Sequence, residues 1–250
     1  MRLKNKVAIV TGGSRDIGRS VSVKLAKEGA KVVVNYLSNE ANAAETLKQI
    51  KEVGGEGIIV KGDVSKAADV AYMIEKTREA FGDEIHILAN VAGGLVARKT
   101  TLEIDEEFFD YVMNINLKSV FLSVKAVLPY MPSGGSIINF SSLAGRDGGG
   151  PGASIYATSK GAIMTYTRAL AKELGPKNIR VNAVAPGMIA TSFHDTFTKP
   201  EARVNVANAT SLKREGTADE VGDLVIYLAS DESSFLNGNN IDINGGLAFS

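Results

Sequence analysis

Val7-Ala8-Ile9-Val10-Thr11-Gly12-Gly13-Ser14-Arg15-Asp16-Ile17-Gly18 joins a short apolar run to a glycine turn. An apolar run of this length, closed by glycine, reads as a buried strand. Beyond it Val21, Val23, Leu25 and Ala26 recur as the buried face of a helix that stops at Gly29, and Lys-Val-Val-Val-Asn at 31–35 is a second strand. Strand, turn, helix and strand within about thirty residues make a βαβ unit, whose crossover is right-handed. Glycines at 12, 13 and 18 let the backbone turn tightly and approach a ligand. The next helix aims its free N–H groups and positive dipole end at the same point, which suits a pyrophosphate. Gly12, Ser14, Arg15, Asp16, Ile17 and Gly18 are therefore read as a dinucleotide cradle. Asp16 is its awkward member. An anion there is expected to repel a diphosphate, with Arg15 and Arg19 as offsets.

The alternation continues down the chain. The patterns predict helices over 40–53 and 67–81, strands over 57–61 and 85–89, and two helices over 105–113 and 117–130. A strand over 136–140, a helix over 154–174 and a strand over 179–185 follow. Alternating β and α elements argue for an α/β fold, a doubly wound and mostly parallel sheet. The chain has 250 residues, 44% of them hydrophobic, enough for one large domain spanning 1–250 with no linker, repeat or low-complexity tract. Lysine plus arginine equal aspartate plus glutamate at 28 each, so nothing in the charge balance points to nucleic acid. No cysteine is present, which rules out thiol nucleophiles and thiolate metal sites. No apolar run is long enough to span a membrane. The expectation is a soluble, cytoplasmic protein.

The end of the second strand bears on the choice of dinucleotide. An acid there would grip a ribose 2′-hydroxyl and favour NAD(H). The strand ends Asn35-Tyr36-Leu37-Ser38, with no acid before Glu40. Arg15 and Ser38 suit a 2′-phosphate, so NADP(H) is favoured over NAD(H), and Tyr36 reads as packing at the cofactor edge.

Chemistry is expected at Ser142 and at Tyr156-Ala157-Thr158-Ser159-Lys160. Tyr156 and Lys160 are four apart, so a helix places them on one face. A neighbouring ammonium is expected to pull the phenol's pKa down from its usual ~10 and make it an acid/base group near neutral pH. Ser142, at the end of an apolar strand, would hydrogen-bond the same substrate oxygen. Carboxylates and histidines do not cluster at ligand spacing, so no catalytic metal is expected.

With the glycine turn, Asp63-Val64, Asn90-Val91-Ala92-Gly93, Asn116, Ser142, Tyr156-x-x-x-Lys160 and Pro186-Gly187 in this order, the sequence resembles the short-chain dehydrogenase/reductases over essentially its whole length. Within them it is most similar to the 3-oxoacyl-[acyl-carrier-protein] reductases, through Asn35-Tyr36, Leu228-Ala229-Ser230-Asp231 and Asn244-Gly245-Gly246. The resemblance implies a Rossmann domain with a seven-stranded parallel sheet and helices on both faces, a homotetramer, and a substrate lid over 188–215. It implies that Ser142 orients the substrate carbonyl, Tyr156 donates the proton, Lys160 tunes Tyr156 and binds the nicotinamide ribose, and Asn116 supports a proton relay. Asp63 and Val64 would flank the adenine, and Asn90, Ala92 and Gly93 would line the cofactor site. Pro186, Gly187 and Ile189 would contact the nicotinamide side, with Thr191 near the amide or the pyrophosphate. The family has Gly or Ala where Asp16 stands, and the spacing from Ser142 to Tyr156 is longer by a glycine-rich, charged insert.

The activity implied is NAD(P)H-dependent reduction of a ketone or aldehyde, with a 3-oxoacyl thioester favoured. Basic residues at 98, 99, 146, 199 and 203 suggest an anionic substrate, with Arg146 and His194 as candidate contacts and a keto sugar or uronate-derived keto acid as the alternative. A cofactor-binding regulator without turnover is the rival of another class.

Overall fold

The structure, a computed structural model, describes residues 1–249. In chain order it contains β1 (Val7–Thr11), α1 (Asp16–Lys27), β2 (Lys31–Tyr36), α2 (Glu40–Glu52), β3 (Glu56–Lys61), α3 (Ala67–Phe81), β4 (Ile87–Asn90), α4 (Glu106–Met113) and α5 (Ser119–Val127). There follow β5 (Ser136–Phe140), α6 (Ala144–Asp147), α7 (Ser154–Leu174), β6 (Arg180–Pro186), α8 (Ser192–Phe197), α9 (Pro200–Ala209), α10 (Ala218–Ala229) and β7 (Asn240–Ile243). The seven strands form one parallel sheet in the order β3-β2-β1-β4-β5-β6-β7. It is the doubly wound α/β arrangement expected from the alternation.

Strand side chains alternate between faces, and each face has its own core. Ala8, Val10, Val32 and Val34 pack with Val21 and Leu25 of α1 and Val221 and Val225 of α10. Ile9, Val33 and Leu88 point the other way, towards Met73 of α3, Val120 and Val124 of α5, and Ile163 and Leu170 of α7. Burial on both faces explains why the strands read as unbroken apolar runs.

The two helices expected over 105–130 are one continuous path. A single π-turn, Asn114–Lys118, joins α4 to α5. Such a turn shifts the hydrogen-bond register by one residue, which periodicity does not reveal. Here it presents the fully buried Asn116 to the cleft side of the molecule. Among the described residues no helix is long and apolar enough to cross a membrane.

Candidate active site

A cleft of about 800 Å³ opens at the carboxyl ends of the strands. It lies where strand order reverses between β1 and β4, the usual place for a ligand in such sheets. One end is the glycine turn. Gly12 has φ +64°, and a Cβ on it would come 3.0 Å from the Ala92 Cα. A Cβ on Gly18 would come 2.1 Å from the Gly12 carbonyl oxygen. The turn therefore lies directly on α1. Arg15, the N-cap, supplies no side-chain cap, which leaves the first amides of α1 for a ligand. Gly12, Ser14, Arg15, Asp16, Ile17 and Gly18 all line the cleft. The residues present fit a dinucleotide: bare backbone where a diphosphate needs close approach, and uncapped helical N–H groups facing it.

Asp16 behaves differently from the expectation of a free repulsive charge. Its φ of +49° lies in the left-handed region that Asp tolerates better than most residues. Its carboxylate accepts from the Ser192 amide at 3.1 Å and from the Ser192 hydroxyl. Arg15 donates to the same hydroxyl at 2.8 Å and lies 3.8 Å from Asp16 Oδ2. The acid thus ties the turn to the start of α8. Arg19 is not part of this arrangement, because it donates to Thr46 Oγ1 and to the Ser14 and Asn42 carbonyls.

Tyr36, the last residue of β2, and Ser38 beyond it line the cleft, as do Asp63 and Val64 beyond β3. Burial opposes ionisation of Asp63, but hydrogen bonds from the Ser65 hydroxyl and amide outweigh it and hold the carboxyl below its usual range. Ala92 and Gly93 follow β4, Pro186 ends β6, and Gly187, Ile189 and Thr191 follow it, all on the cleft wall. Asn90 is a correction. It is buried, and its amide donates to Asn139 Oδ1 at 2.9 Å, with Asn139 donating on to Thr167. It does not line the cleft, because the strand pleat turns it into the core while its successors turn outward.

At the centre of the cleft α7 carries Tyr156 and Lys160 on one face, as their spacing required. Lys160 Nζ is 5.7 Å from the Tyr156 ring centroid and donates to the Phe140 carbonyl at 2.8 Å. Burial lowers the Lys160 pKa to about 8. Burial also raises the Tyr156 pKa, and the nearby Ser142 hydroxyl opposes the rise. The expected lowering of the phenol by its neighbour is absent from the free protein. Lys160 has itself lost hydration and directs its ammonium at a carbonyl, so loss of water around the phenol dominates. Of the adjacent serines, Ser141 is buried and donates to the Lys160 carbonyl, whereas Ser142 lines the cleft with Tyr156. The approach needs two glycines in contact: a Cβ on Gly145 would come 2.8 Å from the Gly161 nitrogen.

Asn116 donates to the Gly94 and Val112 carbonyls, both at 2.9 Å, and accepts from the Gly94 amide at 3.0 Å. A Cβ on Gly93 would lie 2.5 Å from Asn116 Oδ1 and 3.2 Å from Lys160 Nζ, so only bare backbone separates these two side chains.

His194 lines the cleft near Arg98, with its ring bonded to Thr198 Oγ1 at 2.9 Å. Arg146, the other candidate substrate contact, is a correction. It donates to Asp242 at 2.7 Å and to the Asn240 carbonyl at 2.8 Å, at the edge of β7, and does not reach the cleft. Two contributors escaped the sequence reading. Asn35 accepts from the Gly12 amide and donates to the Gly62 carbonyl, pinning the glycine turn to the end of β3. A polar residue closing an apolar strand was the available signal. Phe193 stands 6.1 Å from the Tyr156 ring, ring centre to ring centre, and forms the far wall.

A sequence profile of the family described as Enoyl-(Acyl carrier protein) reductase matches residues 12–248. The 3-oxoacyl-[acyl-carrier-protein] reductase of Thermotoga maritima is 38% identical, with 99% of each chain covered. A short chain dehydrogenase from Burkholderia cenocepacia, solved in complex with NADP, superposes with a TM-score of 0.92 at 31% identity over 99% of each chain. A short-chain dehydrogenase/reductase from Serratia marcescens superposes with a TM-score of 0.94 at 30% identity over 100% of each. Agreement of the whole chain in sequence and in shape leaves one classification: it belongs to the short-chain dehydrogenase/reductases and is an NAD(P)-dependent oxidoreductase.

Proposed function

We propose that the protein is an NADP(H)-dependent reductase of ketones and aldehydes, with 3-oxoacyl thioesters as its first substrate class. The observation that carries this reading is that Ser142 and Tyr156 line one cleft, with the buried Lys160 one helical turn along from Tyr156. A bound nicotinamide supplies the hydride. The turn from Gly12 to Gly18 would hold its diphosphate, Asp63 and Val64 the adenine, and Ala92, Gly93, Pro186, Gly187, Ile189 and Thr191 the nicotinamide half. As charge develops on the carbonyl oxygen, Ser142 and Tyr156 hydrogen-bond it and Tyr156 protonates it. The Lys160 ammonium stabilises the phenolate left behind. Asn116, set against Lys160 across Gly93, continues the proton path.

NADP(H) is preferred because residues 36–39, which line the cleft beyond β2, include no carboxylate, while Arg15 and Ser38 stand on the same rim. Segment 188–215 is read as a lid on the single dinucleotide-binding domain. Its helices α8 and α9 contain no fully buried residue, and it is tied down through Ser192. NADPH and NADH oxidation, measured side by side with acetoacetyl thioesters and keto sugar acids, tests the reading. Failure to oxidise either nucleotide with any carbonyl would favour a regulator without turnover. A keto sugar acid is the second reading, favoured by a cation, Arg98, at the cleft mouth.

The Lys160 pKa sets a pH dependence. Ketone reduction needs the ammonium, and that form is lost as pH rises through about 8. The expected profile of kcat/KM is level below pH ~7 and falls about tenfold per unit above ~8. Lys160→Arg is expected to carry the falling limb to higher pH. A level profile across the alkaline range would separate Lys160 from proton transfer.

Assembly as a homotetramer is also part of the reading. Leu102, Phe109 and Phe121 are exposed on and before α4 and α5, and Tyr227, Phe235 and Phe249 on and after α10. Exposed large apolar side chains at these positions suit contacts between copies. Light scattering is expected to give four times the chain mass; a monomer would refute it.

A further inference from the structure

Of the five basic residues near the substrate end, four are accounted for. Arg146 is paired with Asp242. Arg203 is held by Asp195 and Glu215. Lys99 lies 3.9 Å from Asp105 and 4.4 Å from the Phe108 ring centre. Lys199, exposed at the N-cap of α9, does not line the cleft. Arg98 does line it and has no carboxylate partner among the described residues.

Arg98 is nevertheless held in place. Its Nε donates to the Phe197 carbonyl at 3.1 Å and its Nη1 to the Pro151 carbonyl at 2.8 Å. Its stem lies so close to Gly152 that a Cβ there would come within 2.9 Å of the Arg98 Cβ. A guanidinium has five N–H donors, and two backbone carbonyls take only part of that capacity. The remaining fork matches a carboxylate or phosphate better than a neutral group. Between the catalytic residues and this cation the cleft wall includes Phe193, whose ring is 6.1 Å from that of Tyr156 and is backed by Phe197 at 5.1 Å. Of the other titratable groups that line the cleft, Asp147 is exposed and accepts from the Gly149 amide, and burial pushes the His194 pKa below its usual value. Neither supplies a second cation.

We infer that Arg98 recognises an anionic group on the carbonyl substrate, a carboxylate or phosphate several bonds from the reacting carbon. This deepens the reductase reading and rests on it. The carboxylate of a sugar acid and the phosphate of a pantetheine arm share the chemistry.

The test uses substrate pairs that differ only in the anion: acetoacetyl-pantetheine 4′-phosphate against acetoacetyl-pantetheine, and a 5-keto hexonate against its methyl ester. Wild type is expected to favour the anionic member of one pair at least about tenfold in kcat/KM, and that pair names the source. Arg98→Met is expected to erase the preference through KM while sparing the neutral member and NADPH binding. Arg98→Lys is expected to recover part of it. No preference in wild type, or an equal loss on both members in Arg98→Met, overturns the proposal; the equal loss would mark Arg98 as a strap between two loops. If no pair supports NADPH oxidation, the 3-oxoacyl thioester and keto sugar acid readings fail on their own. Calorimetry of the hexonate and of the pantetheine phosphate with wild type and Arg98→Met then decides Arg98. Loss of binding in the variant supports the anchor, and equal or absent binding of both overturns it.

Discussion

Tyr156→Phe is expected to lower kcat for ketone reduction by about a thousandfold or more, with the Kd for NADPH changed by less than about twofold. The substitution deletes one hydroxyl and keeps the ring that packs opposite Phe193. Ser142 keeps its place, because its hydroxyl also accepts from the Ala144 amide at 3.2 Å. What is lost is the proton donor and one of two hydrogen bonds to the developing oxyanion. Neither is needed to hold a nucleotide. The two effects therefore separate in one experiment, single-turnover kinetics beside a fluorescence titration of NADPH. Unchanged turnover would remove Tyr156 as the acid. A parallel loss of nucleotide affinity would mean that the phenol acts chiefly in binding.

Gly18→Ala is expected to weaken NADPH binding at least about a hundredfold and to cost about 1–3 kcal/mol of stability, as overpacking does. The new methyl would sit 2.1 Å from the Gly12 carbonyl oxygen and 3.0 Å from the Gly13 Cα. Both neighbours are backbone, so no side chain can rotate out of the way. Relief requires α1 to move off the turn, which misaligns the amides that face the diphosphate. Asn35 and Thr11, which bond the Gly12 and Ala92 amides, resist that movement. Circular dichroism and a thermal melt establish that the variant folds, and the nucleotide titration then reads the cradle. A folded variant with wild-type affinity would show that the turn does not hold the diphosphate.

Much of the architecture was legible because its causes are local. Strands buried on both faces must be mostly apolar, and β1, β2 and β5 are, with Val7–Val10, Val32–Val34 and Ile137–Ile138 as their apolar stretches. The pair Tyr156 and Lys160 was legible for the same reason, since helical geometry alone puts residues four apart on one face. The π-turn at Asn114–Lys118 was not, because it breaks that geometry by one residue without altering composition.

The basic residues were misjudged for a different reason. Their loops do flank the cleft, but a charge is committed by whichever acid the fold brings near. Arg146 meets Asp242 from 96 positions away, and Asp16 meets Ser192 from 176. Asn90 was placed in the cleft by resemblance, and the pleat of β4 turned it inward to Asn139.

By itself, then, the amino-acid order determined the parallel α/β sheet, the bare glycine turn ahead of α1 and the shared helical face of Tyr156 and Lys160, all through periodicities a few residues long. Only the tertiary structure decided that Ser142 and Tyr156 share one cleft, that burial lifts the phenol's pKa and lowers the amine's, and that Arg98 stands without an acid. Hydration and ion pairing depend on what is packed around a group in space, and those neighbours come from distant parts of the chain.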